Sequence, residues 1–232
     1  MTRLASGRTT HLEPEEIAAE TLRLFDQGDD PSIRQLASAL NVTPSAIYHH
    51  FDSRTEIVQA AVELVWLEIL AQTAEEVGNP FESDPKEVLT AVGLHARRSF
   101  IRHHTIAPYM TIIPSSNQLS AGGMSLFANA FERLGVTGDT AGDAFHYYAS
   151  YCFGTALYAA SRLNAEAALG PTSPGHEELE KLRREAGVDG TSSPETRTAL
   201  DEVLDLSAVD PDRDEELFVS GLKQILEGFA KV

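Results

Sequence analysis

Cysteine is nearly absent: Cys152 is the only one in 232 residues. That excludes an intramolecular disulfide framework and fits a reducing cytoplasm. Long apolar runs are missing too, and no stretch approaches the roughly 18 to 20 consecutive apolar residues that carry a helix across a bilayer. The opening MTRLASGRTT holds two arginines but no apolar segment, so it does not read as a secretory signal. No nucleophile elbow, phosphate-binding glycine loop or HExxH occurs. Histidines and carboxylates are present without a recognisable catalytic constellation. The expectation is a protein that is no enzyme and needs no cofactor.

Basic charge is scarce as well. Eighteen Lys and Arg face 35 Asp and Glu, for a net charge of -17. An acidic surface repels phosphates and argues against unfocused nucleic-acid binding. The deficit is uneven, however. Residues 1–54 hold Arg3, Arg8, Arg23, Arg34 and Arg54 against eight acids, whereas the rest holds 13 bases against 27 acids. The acidity belongs mainly to the C-terminal part.

What is there is helical. A hydrophobic content of 42% with mean hydropathy -0.18 is that of a soluble globular chain, long enough for one large or two modest domains. Residues 1–12 read as an arm, whose Arg3 and Arg8 either reach a minor groove or belong to a disordered terminus. Pro14, Glu15 and Glu16 suit a first helical turn, and Ile17, Ala18, Thr21, Leu22, Leu24 and Phe25 follow three-and-four spacing up to Gly28. Ser32 caps a second helix with Ile33, Leu36, Ala37 and Leu40 inward. After the turn Asn41-Val42-Thr43, Thr43 caps a third, with Pro44 at its first position and Ala46, Ile47 and Phe51 inward. Ser53 with Glu56 predicts a capping box for a long fourth helix running to Val77.

Further helices are expected from Asp84-Pro85, from about Gln118 to Leu134, from about Asp139 to Leu169 and from about Asp212 to Ala230, with a short apolar piece at Ile106–Ile113. Residues 170–212, rich in Pro, Gly, Ser and acid, read as a mobile connection with two short helical patterns at 177–186 and 194–206. There is no convincing strand and no internal repeat, so the fold is expected to be all-α.

The stretch from Ser32 to Arg54 has what a helix-turn-helix needs: an apolar inner face, a tight turn, and short polar side chains opening the second helix. Two ordinary packed helices are the plainer alternative. The segment LASALNVTPSAIYHHFDSRTEIVQA, however, is similar to the DNA-binding signature of the tetracycline-repressor (TetR) family of bacterial transcription regulators. Leu36-Ala37, Val42-Thr43, Ile47-Tyr48, His50-Phe51, Ser53-Arg54 and Ile57 carry the likeness, over roughly residues 13–62.

The resemblance implies a homodimer on a palindromic operator, with a DNA-binding domain at 1–54 and a helical ligand-binding and dimerisation domain at 55–232. It implies that Thr43, Pro44, Ser45, Ala46, Tyr48, His49 and His50 face DNA. Tyr48 and His50 would bond phosphates, with Ser45, Ala46 and His49 nearest the base edges. Arg54 matches a position where the family usually has Lys, and would anchor a phosphate at the start of the fourth helix. The departures are a Gly28–Ser32 loop that looks one residue short, Asp29 where the family usually has an apolar or aromatic residue, and Asp52 beside the DNA face.

In the C-terminal part, FHYYASYCFGTALYAASRL is apolar on nearly every side, and the last helix has a broad apolar face. The resemblance implies that these two helices pair across a two-fold axis; a monomer core is the alternative. His95, Phe100, His103, Tyr109, Met110, Met124, Phe127, His146, Tyr147 and Tyr151 form a group of polar-tipped aromatics, histidines and apolar neighbours of the kind that lines a pocket for a largely apolar effector. Each singly also fits core or surface. His103 and His104, adjacent on a helix, should point to different sides. Cys152 with His146 lacks the spacing of a metal site, so none is expected. The implied protein is a repressor released from DNA by its ligand. A helical small-molecule carrier with weak or no DNA binding is the alternative.

Overall fold

Local punctuation decides where the helices begin, and burial decides how they stack. The computed structural model describes residues 12–112, 117–170, 181 and 211–229. Among these are helices α1 (Pro14–Asp26), α2 (Ile33–Ala39), α3 (Pro44–Tyr48), α4 (Arg54–Val77), α5 (Pro85–Arg102), α6 (Ala107–Ile112), α7 (Asn117–Arg133), α8 (Asp139–Leu169) and α9 (Pro211–Phe229), with no strand. The chain is all-α, as its periodicity implies. Arg3, Arg8 and the helical patterns at 177–186 and 194–206 lie outside the described residues, save Lys181.

The caps follow the sequence closely. Ser32 Oγ accepts from Gln35 N while Gln35 Oε1 accepts from Ser32 N at 2.9 Å, so α2 opens on a complete capping box. Asp84 Oδ1 takes the amides of Lys86 and Glu87 to open α5. At α4 only half of the expected box forms. Ser53 Oγ accepts from Glu56 N at 3.2 Å, but the Glu56 carboxylate takes the amide of Asp52, at 2.9 Å, rather than that of Ser53. Two amides are still satisfied, one residue earlier than expected.

Helices α1 to α3 form a small head around Ile17, Leu24, Leu36, Ala37, Ile47 and Ile57. The last of these comes from α4, which continues into the body and packs on α5. Helix α1 is similarly two-sided: Ile17 and Leu24 enter the head core, whereas Phe25 joins the body core with Val58, Val62, Phe100, Ile106 and Met110. Head and body therefore share two helices. Among the described residues α4 is also the one helix long and apolar enough to cross a membrane, but Val58, Ala61, Val62, Val65 and Ile69 are buried against its neighbours.

In the body α5 lies against α4, α7, α8 and α9. Close approach comes from two glycines. A Cβ at Gly93 of α5 would meet Leu222 at 2.8 Å and Cys152 at 3.1 Å, and one at Gly221 of α9 would meet the Tyr151 hydroxyl at 2.2 Å. Arg97 ties the same three helices together. It is buried, donates to the Thr155 carbonyl at 3.2 Å, pairs with Asp214 and lies 5.2 Å from the centre of the Phe218 ring. A buried cation held by carboxylate, carbonyl and ring fixes the geometry more than it adds stability.

Candidate DNA interface and effector residues

Between α2 and α3 the chain must reverse within a few residues. Asn41 does this with φ of +55°, a left-handed conformation that asparagine tolerates better than most side chains. The Val42 amide then closes the turn onto Ala37 O at 2.9 Å. Thr43 caps α3 by accepting from Ala46 N at 3.3 Å. Ile47 is fully buried in the head core, and burying such a side chain contributes about 1.5–3 kcal/mol. With Ile47 facing in, the helical period turns the neighbouring residues outward. Thr43, Pro44, Ser45, Tyr48 and His49 are exposed, and Ala46 and His50 are half-buried. Tyr48 is 52% exposed although it is a large aromatic, and His49 packs edge-on to His50 with 5.6 Å between ring centres. None of the seven side chains expected on the DNA face is buried.

Arg54, at the first position of α4, is engaged. Its Nε donates to the Pro31 carbonyl at 3.0 Å, and its guanidinium pairs with the Asp30 carboxylate in the α1–α2 loop. The other Asp30 oxygen accepts from the Tyr109 hydroxyl of α6 at 3.2 Å. Nothing in local sequence pairs Asp30 with residues 24 and 79 positions away.

The ten residues expected to gather around an effector do not converge on one cavity. Phe100 and Met110 are buried in the body core, where Phe100 stacks on Phe153 at 5.9 Å and meets Trp66 edge-on. Tyr109 lies beside them, edge-on to Phe25 at 5.7 Å. His103 points to the head: Nδ1–H donates to Asp26 at 2.7 Å, and Nε2 stands 3.4 Å from Glu68 without a hydrogen bond. His104 points the other way, donating to Asn164 of α8 at 2.6 Å, so the two histidines do diverge. His95 donates to Glu76 at 2.8 Å, at the C-terminal end of α4.

Phe127 is enclosed by Phe145 and Tyr148. Tyr151 stacks on Phe218 and donates to its carbonyl at 3.0 Å. Met124, His146 and Tyr147 are exposed. The physical reason for the scatter is that aromatic residues on α5 to α8 have several helix neighbours to choose from, and sequence spacing alone does not say which one each meets. Trp66 and Phe153, which do meet Phe100, carry no local signal that would have added them to the group.

Two grooves among the described residues bear on this group. One of about 510 Å³ is lined by Arg97, Tyr151, Tyr158, Arg162, Asp214 and Phe218, and includes one of the ten, Tyr151. The other, about 690 Å³, is lined by Glu76, Lys86, Glu87, Thr90, Lys223 and Glu227 and includes none. Cys152 is buried while His146 faces out, and among the described residues no group of three or more His, Cys, Asp or Glu is placed to hold a metal. Burial pushes the Cys152 thiol up to about 12, although a hydrogen bond from Tyr148 pulls the other way. Burial also raises Tyr148 and Tyr151 above the usual tyrosine value.

Comparison with known proteins meets this geometry at both scales. Residues 17–61 match the family of bacterial regulatory proteins of the tetR type. No curated protein sequence matches. Among solved structures, the chain is similar to a possible TetR family transcriptional regulator from Streptomyces coelicolor A3(2), with 18% identity and a TM-score of 0.67 over 93% of this chain and 98% of that one. It is similar to the TetR family protein ActR of Streptomyces coelicolor in complex with actinorhodin, with 22% identity and a TM-score of 0.66 over 95% and 96%. BioQ of Mycobacterium smegmatis shares 17% identity, with a TM-score of 0.64 over 95% and 99%. At such identities these structures establish the fold alone. The family match lies in the head, where residues 17–61 run from α1 through the helix-turn-helix to the start of α4.

Proposed function

We infer that the protein is a ligand-responsive transcription regulator, a repressor whose dimer leaves a palindromic operator when a small, largely apolar effector binds its body. The observation that carries this reading is α3, where one buried residue, Ile47, turns Ser45, Tyr48 and His49 to solvent at a helix end. Ser45, Ala46 and His49 read base edges, Tyr48 and His50 hold phosphates, and Thr43 and Pro44 set the entry angle. Arg54 anchors a phosphate at the start of α4, where the helix dipole adds to its charge. Such a protein works where the chromosome is, in the cytoplasm.

The dimer forms through α8 and α9. Tyr147, Gly154 and Tyr158 recur at helical spacing on one side of α8 and are exposed in the single chain. Two recognition helices on a dimer must sit about one turn of DNA apart, roughly 34–36 Å. Helix α4 is shared by head and body, so a shift in the body changes that separation. ActR holds actinorhodin; by analogy the effector here enters the body, beside the aromatic cluster of Trp66, Phe100 and Phe153 beneath α6. It moves the equilibrium only by its differential affinity for the two states.

A carrier without DNA binding is the second reading, and what favours it is the net charge of -17 together with the hold of Asp30 on Arg54. Binding to the DNA upstream of its own gene, measured against salt, separates the two. Tyr48→Ala and Arg54→Ala should weaken binding to all sequences, and changes at Ser45 or His49 should alter preference among sequences. Unchanged DNA binding in both Tyr48→Ala and Arg54→Ala would sink the regulator reading. Trp66 is the only tryptophan, so its fluorescence reports effector binding directly.

A further inference from the structure

The DNA edge of the head carries a carboxylate in the place where a phosphate would be useful. Asp30 pairs with the Arg54 guanidinium through one oxygen and accepts from Tyr109 through the other. Asp30 is exposed, and no other described cation is paired with it. Asp29, one residue earlier, has the same charge and exposure, and its amide closes α1 onto Leu24 O at 3.1 Å. Two neighbouring acids thus differ in the one respect that matters here, contact with Arg54.

We propose that Asp30 is an internal competitor for DNA: it holds Arg54 in the free protein as a phosphate would in the complex, with Tyr109 of the body as the positioning residue that aims it. This rests on the reading that Arg54 meets a phosphate. Binding then exchanges one anion for another at Arg54, so the gain from the phosphate contact is reduced by the loss of the Asp30 pair. Because the pair is partly exposed, the competition is modest and tunes affinity rather than abolishing binding. Tyr109 sits on α6, beside Phe25 of α1 and over the body core. A movement of α6 therefore reaches the DNA anchor through one hydroxyl and one carboxylate, without passing through the core of α4.

The test uses the full-length protein and a duplex enriched from a random pool by the wild-type chain, with affinity measured across a salt series. Asp30→Asn should bind about three- to fivefold tighter at low salt, as expected for release of one surface pair. That gain should shrink as salt rises, because screening weakens the exposed pair that the wild-type chain must break. Asp29→Asn removes the same charge without touching Arg54 and should change affinity by much less. Tyr109→Phe should shift affinity in the same direction as Asp30→Asn but less, and should add nothing in the Asp30→Asn background.

Asp30→Ser repeats the change with a smaller side chain, should any variant prove unstable. If Arg54→Ala weakens binding but Asp30→Asn behaves like Asp29→Asn, the competitor is overturned while the phosphate anchor stands. If Arg54→Ala leaves binding unchanged, the anchor fails and the competitor fails with it. Additive effects of Tyr109→Phe and Asp30→Asn would overturn the positioning role of Tyr109.

Discussion

Tyr151 occupies the space that a side chain at Gly221 would need. Its hydroxyl lies 2.2 Å and its ring carbon Cζ 2.9 Å from where a Cβ would stand, and the ring is fixed by stacking on Phe218 and by its bond to the Phe218 carbonyl. In an ordinary helix interior Gly→Ala stabilises by roughly 1 kcal/mol. Here Gly221→Ala should instead destabilise by about 1–3 kcal/mol, the usual cost of overpacking. Urea denaturation checks it, and Gly221→Ala combined with Tyr151→Phe should recover part of the loss. An increase in stability from Gly221→Ala alone would mean that α9 does not lie this close to α8.

Cys152 gives the protein an alkaline weakness. The free thiol ionises near 9 and the buried one at about 12. Between those values the unfolded chain has released a proton that the folded chain keeps. The stability from this group is therefore complete below pH 9 and is lost as pH rises through 12. The loss is at most about 1.4 kcal/mol per pH unit. Urea midpoints should fall from pH 9 upward, less steeply in Cys152→Ala, while Tyr148, also raised by burial, adds its own decline once pH exceeds the ordinary tyrosine value. The same burial should keep native Cys152 unreactive to thiol reagents that label it rapidly once the chain unfolds. Fast native labelling would contradict the buried position.

How much of this was legible in the sequence depends on the range of the interaction. The caps at Ser32, Thr43 and Asp84 and the inward turn of Ile47 are settled within four residues, and periodicity exposes them. The exposure of Ser45, Tyr48 and His49 follows, because burying Ile47 in so short a helix leaves its neighbours turned outward. Arg54 shows the limit: its place at the start of α4 was readable, its engagement by Asp30 was not, since that pairing needs the α1–α2 loop folded back. The effector group shows it more strongly. His95 found Glu76, His103 found Asp26 and Tyr151 found Phe218. Each satisfied its polar tip with a partner that no spacing rule names, so these three ended away from one another.

The bond from His103 to Asp26 is a second place where head and body are joined, this time through the end of α1. His103 is buried and its Nδ1–H reaches the carboxylate at 2.7 Å. A double-mutant cycle of Asp26→Ala and His103→Ala, followed by urea denaturation, should give a coupling of about 0.5–3 kcal/mol, as for residues in direct polar contact. Each single change should also raise the exchange rate of amide protons near the end of α1. Strict additivity would mean that Phe25, and not this bond, holds α1 to the body.

Dimerisation can be tested on the face that the single chain leaves open. Tyr158 is 67% exposed and Tyr147 60% exposed, and a Cβ at Gly154 between them would meet nothing within 4 Å. An isolated exposed aromatic is ordinary, but two aligned with a glycine on a 31-residue helix beside α9 make a surface that a second copy can cover. A central interface tyrosine carries about 2 kcal/mol or more. Tyr158→Glu should therefore weaken the dimer by about thirtyfold or more in sedimentation, with little change in the far-ultraviolet spectrum. Phe81→Glu, on the loop between α4 and α5, changes an aromatic that is 48% exposed elsewhere and should leave the dimer intact. A Tyr158→Glu protein that sediments as wild type would move the interface off this face. It would also leave the spacing of the two recognition helices, and with it the release mechanism, without its frame.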